Sequence, residues 1–194
     1  MARLGKRLLF VSLSVLLLAS CVKIETGQTL EEATESNELR ARQVRSQWAN
    51  QLNAATPLET ANLLKQHMDS VSAMYLRYGF KVVDEWHKGN EGRGKVIDAA
   101  EMRQVVDAWV AGQKPILDAY EHNLEFGLDQ LRLSKFFAPE TMAMFEKFGE
   151  EFYEVRSVVF YPNRDVETYE NKLLESQKLI ETASLELGSE LAKY

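Results

Sequence analysis

The chain has 194 residues, of which 23 are basic and 29 acidic, for a net charge of −6. Hydrophobic residues make up 45% and charged residues 27%, the balance of an ordinary folded domain, which excludes a disordered chain, a collagen-like repeat and a multispan membrane protein. The single cysteine excludes a disulfide scaffold.

The chain begins Met1-Ala-Arg-Leu-Gly-Lys-Arg7, with three cations and no acid, followed by an apolar run from Leu8 to Leu18 broken only by Ser12 and Ser14. This run is far short of the ~20 residues that span a bilayer as a stable helix. A positive start, a short apolar core and small residues at Ala19 and Ser20 are the parts of a secretory signal over residues 1–20. Leu18-Ala19-Ser20-Cys21 resembles the lipobox of bacterial lipoproteins, in which an aliphatic and two small residues precede an obligatory cysteine. The resemblance implies cleavage between Ser20 and Cys21, diacylation of the Cys21 sulfur and acylation of the new amino group. It also implies a sorting signal. In that family Asp after the lipidated cysteine retains the protein in the inner membrane, and Val22 stands there instead. The expected location is therefore the outer membrane, on its periplasmic side. Three acyl chains, at about 0.8 kcal/mol per buried methylene, make such attachment effectively permanent.

Cleavage removes three cations, so the mature charge becomes −9. No basic patch for anionic lipid or nucleic acid is expected, and the membrane is a partner through covalent lipid alone. Residues 21–40 carry Glu25, Glu31, Glu32, Glu35 and Glu38 with few large apolar side chains, the composition of a solvated tether. Thr29-Leu-Glu-Glu32 also fits a capping box that starts a helix within it.

From residue 41 to 194 the pattern is helical. Val44, Trp48 and Leu52 mark a first helix ending near Ala55. Thr56-Pro57-Leu58-Glu59 supplies an N-cap, a proline at the first helical position and a capping-box glutamate. The second helix carries Ala61, Leu64, Met68, Val71, Tyr75, Tyr78 and Val82, and is predicted to end near Trp86. Lys88-Gly-Asn-Glu-Gly-Arg-Gly-Lys95, with three glycines, reads as a loop. Asp98 caps a third helix bearing Met102, Trp109, Ile116, Tyr120, Leu124 and Leu131, with a kink or break expected at Pro115. Ala138-Pro139 starts a fourth helix with Phe145, Phe148, Phe152, Val155 and Val159 inward, stopped or kinked at Pro162. The fifth runs from about Arg164 to Ala192, with Tyr169, Leu173, Ile180 and Leu187 on one seam. The expected fold is all-α, an antiparallel bundle of four to five long helices.

Motifs that carry chemistry are incomplete. Gly89 to Lys95 matches G-x-x-x-x-G-K, but Val96 replaces the Ser or Thr a phosphate-binding loop requires. Read from Asn90 to Glu101, the same loop lacks two of three side-chain ligands of a calcium loop. His67, His87 and His122 are the candidate metal or haem ligands. Asp84-x-x-His87 and His122-x-x-Glu125 each place a carboxylate and an imidazole on one helix face, in opposite orders. No Ser-His-Asp or Cys-His set assembles, so no catalytic residue and no cofactor is expected. The favoured function is a lipid-anchored, non-enzymatic interaction or envelope-assembly module with an envelope protein as partner. The alternative is a small-ligand- or metal-binding bundle. The candidate interaction surface is Phe137, Met144 and Tyr153, which do not share the inward face of the fourth helix. Replacement of Met144 and Tyr153 by Ser is expected to weaken partner binding while changing thermal stability little.

Overall fold

The computed structural model describes residues 30–93, 97–162 and 165–194. They form five helices: α1 Leu30–Ala54, α2 Pro57–Arg93, α3 Ala99–Ser134, α4 Pro139–Phe160 and α5 Val166–Leu191. The signal segment, Cys21 and the Thr29 cap lie outside the described residues. No helix among the described residues is long and apolar enough to cross a membrane.

The helix starts follow the capping chemistry. Thr56 Oγ1 accepts from Glu59 N at 3.3 Å while Thr56 N donates to Glu59 Oε2 at 2.8 Å, a reciprocal capping box. Donation from Thr56 N, and then from the Thr56 hydroxyl, holds the Glu59 carboxyl below its usual range. Asp98 accepts from Glu101 N at 2.9 Å and Asp165 from Thr168 N at 2.8 Å. Each satisfies one of the first-turn N–H groups that the helix itself leaves without an acceptor.

Helices α2 to α5 run up, down, up, down. Cross-helix contacts fix the directions. On α2 and α3, Trp86 meets Ile97 and His67 meets Tyr120. On α3 and α4, Glu121 pairs with Arg156 and Arg132 with Glu146. On α4 and α5, Thr141 meets Glu190 and Lys147 meets Glu186. Helix α2 also touches α5 and lies diagonally against α4. Helix α1 is the fifth member, packed principally along α3 and parallel to it. One continuous core includes Tyr75, Trp86, Phe145, Phe148, Phe152 and Tyr169, each with under 2% of its surface exposed.

Several sequence expectations change. The tether reading of residues 21–40 gives way to helix from Leu30, and Asn37 Nδ2 donates to Gly112 O at 2.9 Å. Glutamates on a solvated face are compatible with a helix that needs only one buried side. Residues 88–93, read as loop, are the last turns of α2. Glycine there serves packing: a Cβ on Gly89 would stand 2.2 Å from Ile97 Cδ1. The turn is then locked by Trp86 Nε1 donating to Ile97 O at 2.8 Å and Ile97 N donating to Asn90 Oδ1 at 2.7 Å. Asn90, the first ligand of the calcium-loop reading, is thus a backbone cap, and the phosphate-loop reading loses its loop. Gly94, Lys95 and Val96 lie outside the described residues.

Pro115 does not break α3. Its ring leaves the Ala111 carbonyl without its i+4 donor, but Ala111 is exposed, and Asn37 binds the adjoining Gly112 carbonyl. At Pro162 the chain does break. Helices α4 and α5 are separate and pack on each other. Tyr169 OH donates to Val159 O at 3.0 Å, supplying one of the last-turn carbonyls of α4.

Gly79 brings α2 against α4 and α5. A Cβ there would meet Leu173 Cδ2 at 2.7 Å and Val159 Cγ2 at 3.2 Å. Gly79→Val is expected to lower stability by about 1–3 kcal/mol through overpacking. Gly188→Ala, whose Cβ meets only the flexible Lys65 chain, is expected to gain up to about 1 kcal/mol from helix propensity. Urea unfolding followed by circular dichroism measures both.

Candidate functional site

The histidines do not converge. His67, on α2, is enclosed between α1 and α3. Its ring lies 4.8 Å from that of Trp48 and 5.9 Å from that of Tyr120, and its Nε2 donates to the Tyr120 carbonyl at 2.9 Å. That bond fixes the proton of the neutral ring on Nε2. His87 is exposed at the far end of α2, 3.7 Å from Glu170 of α5. His122 is exposed and stacks on Phe126. Among the described residues no group of three or more His, Cys, Asp or Glu side chains is placed to hold a metal ion.

The proposed aromatic surface is also rearranged. Phe137 is 7% exposed and sits among Phe136, Phe145 and Tyr194. It is core, because the α3–α4 turn folds its ring under the C-terminal residues instead of leaving it on a helix face. Met144 and Tyr153 are half-buried and packed against the core. Tyr153 OH donates to Glu125 Oε1 at 3.2 Å. Burial, and then the neighbouring Glu125 carboxylate, push this phenol up to about 12. The exposed aromatics among the described residues are instead Phe136 and Tyr161, at opposite ends of α4, and Tyr194.

What the tertiary structure builds is a groove between α1 and α3, of about 460 Å³. Glu38, Arg42 and Arg45 line it from α1, and Lys114 and Asp118 from α3. Ala111 and Pro115 complete the lining. Glu38 lies 3.6 Å from Arg42, and Lys114 Nζ is 2.7 Å from Asp118 Oδ2. These exposed i,i+4 pairs are weak and leave the side chains able to take other partners. The groove is largely open to solvent and holds three cationic groups and two carboxylates.

The sequence reading did not single out this mixed-charge groove. The signal is present in the chain: residues 39–58 contain Arg40, Arg42 and Arg45 and no carboxylate, in a chain of net charge −6. Net charge averages this local excess away.

Trp48 holds α1 to the bundle by ring contact alone, since its buried Nε1 has no hydrogen-bond partner. Burial of His67 lowers its pKa from the usual 6.5, outweighing the Tyr120 carbonyl, which acts in the opposite sense. The folded protein therefore prefers the neutral ring. The stability this confers is complete above about pH 6.5 and is lost as pH falls through the unfolded and then the folded value. Urea midpoints are expected to fall between pH 7.5 and 5, and His67→Gln to flatten that part of the profile. Tyr153→Ser is expected to cost about 1–2 kcal/mol, and Tyr153→Phe no more than about 0.5–1 kcal/mol because only an exposed hydrogen bond is lost. Thermal unfolding of both variants checks this. No protein-family model, no curated protein and no solved structure matches this chain.

Proposed function

We propose that the chain is a lipid-anchored extracytoplasmic protein, held by acylated Cys21 on the periplasmic side of a bacterial outer membrane, whose helical bundle serves as a non-enzymatic interaction or envelope-assembly module. The observation that carries this reading is Leu18-Ala19-Ser20-Cys21, placed directly after a cationic start and an apolar run. The lone cysteine stands at the position where the lipobox requires one. The route from anchor to fold supports it. Eight residues separate Cys21 from the start of α1 at Leu30, a stretch that reaches at most about 30 Å. Helix α1 then runs along α3, which ties the anchored end of the chain to the bundle. The bundle is filled by aliphatic and aromatic side chains, a core suited to presenting a rigid surface.

Metabolic labelling with a radioactive fatty acid tests the anchor. The wild-type chain is expected to incorporate label and to sediment with membranes. Cys21→Ala is expected to do neither, and equal labelling of the two would refute the reading. Val22→Asp tests the sorting. On a sucrose density gradient it is expected to move the protein from the outer- to the inner-membrane fractions, and an unmoved profile counts against outer-membrane sorting through this position.

A further inference from the structure

The groove between α1 and α3 combines three features that point to one ligand class. Its cations come from two helices: Arg42 and Arg45 from α1 and Lys114 from α3. Arg42 and Lys114 have carboxylate neighbours, whereas Arg45 makes no hydrogen bond or ion pair among the described residues. A guanidinium in this state is a ready donor for a phosphate, which it binds through two parallel N–H groups. The second feature is the opposite charge in the same groove. Glu38 and Asp118 repel a simple anion and favour a ligand that also carries an ammonium group. The third is Pro115. It has no N–H, so the Ala111 carbonyl one turn earlier lacks its i+4 helical donor, and both residues line the groove.

We infer that this groove binds a phosphoethanolamine headgroup, with the phosphate on Arg42, Arg45 and Lys114 and the ammonium on the Ala111 carbonyl and the Glu38 and Asp118 carboxylates. The same chemistry is offered by a membrane phospholipid and by a soluble glycerophosphodiester. The groove exists whether or not the chain is anchored. Only the lipid as source rests on the proposed acylation of Cys21. In that case the source is close. Arg42 lies about 18 Å along α1 from Leu30 at 1.5 Å per residue, less than the about 30 Å reach of the eight residues between Leu30 and Cys21. The near end of the groove is then within chain reach of the headgroup layer.

The test is isothermal titration calorimetry on the mature chain purified from membranes in dodecyl maltoside. The probes are glycerophosphoethanolamine, glycerophosphocholine and the short-chain dihexanoyl forms of both lipids. Ethanolamine compounds are expected to bind at least tenfold more tightly than their choline counterparts, because a quaternary ammonium has no N–H to give the Ala111 carbonyl. The double variant Arg42→Gln, Arg45→Gln is expected to weaken binding at least tenfold. Arg77→Gln, exposed on α2, is expected to change nothing. Pro115→Ala restores the helical donor and is expected to abolish the ethanolamine preference while keeping the phosphate affinity. Tighter binding of the dihexanoyl lipid than of the glycerophosphodiester supports a membrane lipid as ligand, and equal binding supports a soluble one. Absence of binding by either ethanolamine compound overturns the inference, as does affinity untouched by the arginine replacements or equal affinity for ethanolamine and choline. The fatty-acid labelling of Cys21 is read separately, so failure of the groove and failure of the anchor are distinguishable.

Discussion

Helix α2 is packed against α3, α4 and α5 together, and the rest of the bundle is arranged around that burial. A helix enclosed on three sides has no face to spare for bulk at its closest crossing. Gly79 stands at that point, with Leu173 and Val159 occupying the space a side chain would take. Gly127 of α3 meets Leu64 of α2 in the same way, its missing Cβ 2.8 Å from Leu64 Cδ1. Close-packed interiors transmit such constraints, since an added methyl on one helix displaces its neighbours. The large rings Tyr75, Phe152 and Tyr169 then fill the space between more widely separated stretches. The two tyrosine hydroxyls differ: that of Tyr169 caps the end of α4, while that of Tyr75 is buried without a partner among the described residues.

Helix α1 stands outside this arrangement. Its grip on α3 comes from Ala41, Trp48 and Leu52 in the core and from Asn37 at the Pro115 turn. Three features therefore meet along one seam: the tilted ring contact of Trp48 and His67, the α3 turn that contains Pro115, and the charged groove. The helix nearest the proposed lipid anchor is also the one that carries the carboxylate-free arginine stretch. Events at the membrane surface and the attachment of α1 to the bundle thus share the same residues. Protonation of His67 acts on that seam as well, because its ring is enclosed between Trp48 and Tyr120.

The helices and most of their ends were legible in the sequence. The apolar residues of α2, α4 and α5 recur at steps of three and four, and those named from spacing are largely the ones found buried, such as Leu64, Met68, Phe148 and Leu187. Caps at Thr56 and Asp98 are read from side-chain type and position, because a cap is a bond between residues three apart, whereas the like cap at Asp165 was not singled out. Gly89 was misread for a related reason. Glycine signals a turn by its freedom and a close contact by its size, and only the second applies where Ile97 folds back on α2.

The candidate sites divide along the same line. Cys21 and its lipobox are contiguous, so the acylation reading needs nothing beyond the sequence. Phe137 is core and not surface because the C-terminal residue Tyr194 returns to cover it, a contact between residues far apart in the chain. The groove required two helices to lie side by side, bringing Arg42 and Arg45 opposite Lys114 and Asp118. Local spacing along one chain determines helix, cap and signal, since their partners lie within a few residues. Which face of a helix is covered, which glycine is a contact, and which charges share a cleft are decided by lateral packing between distant segments, which no local pattern specifies.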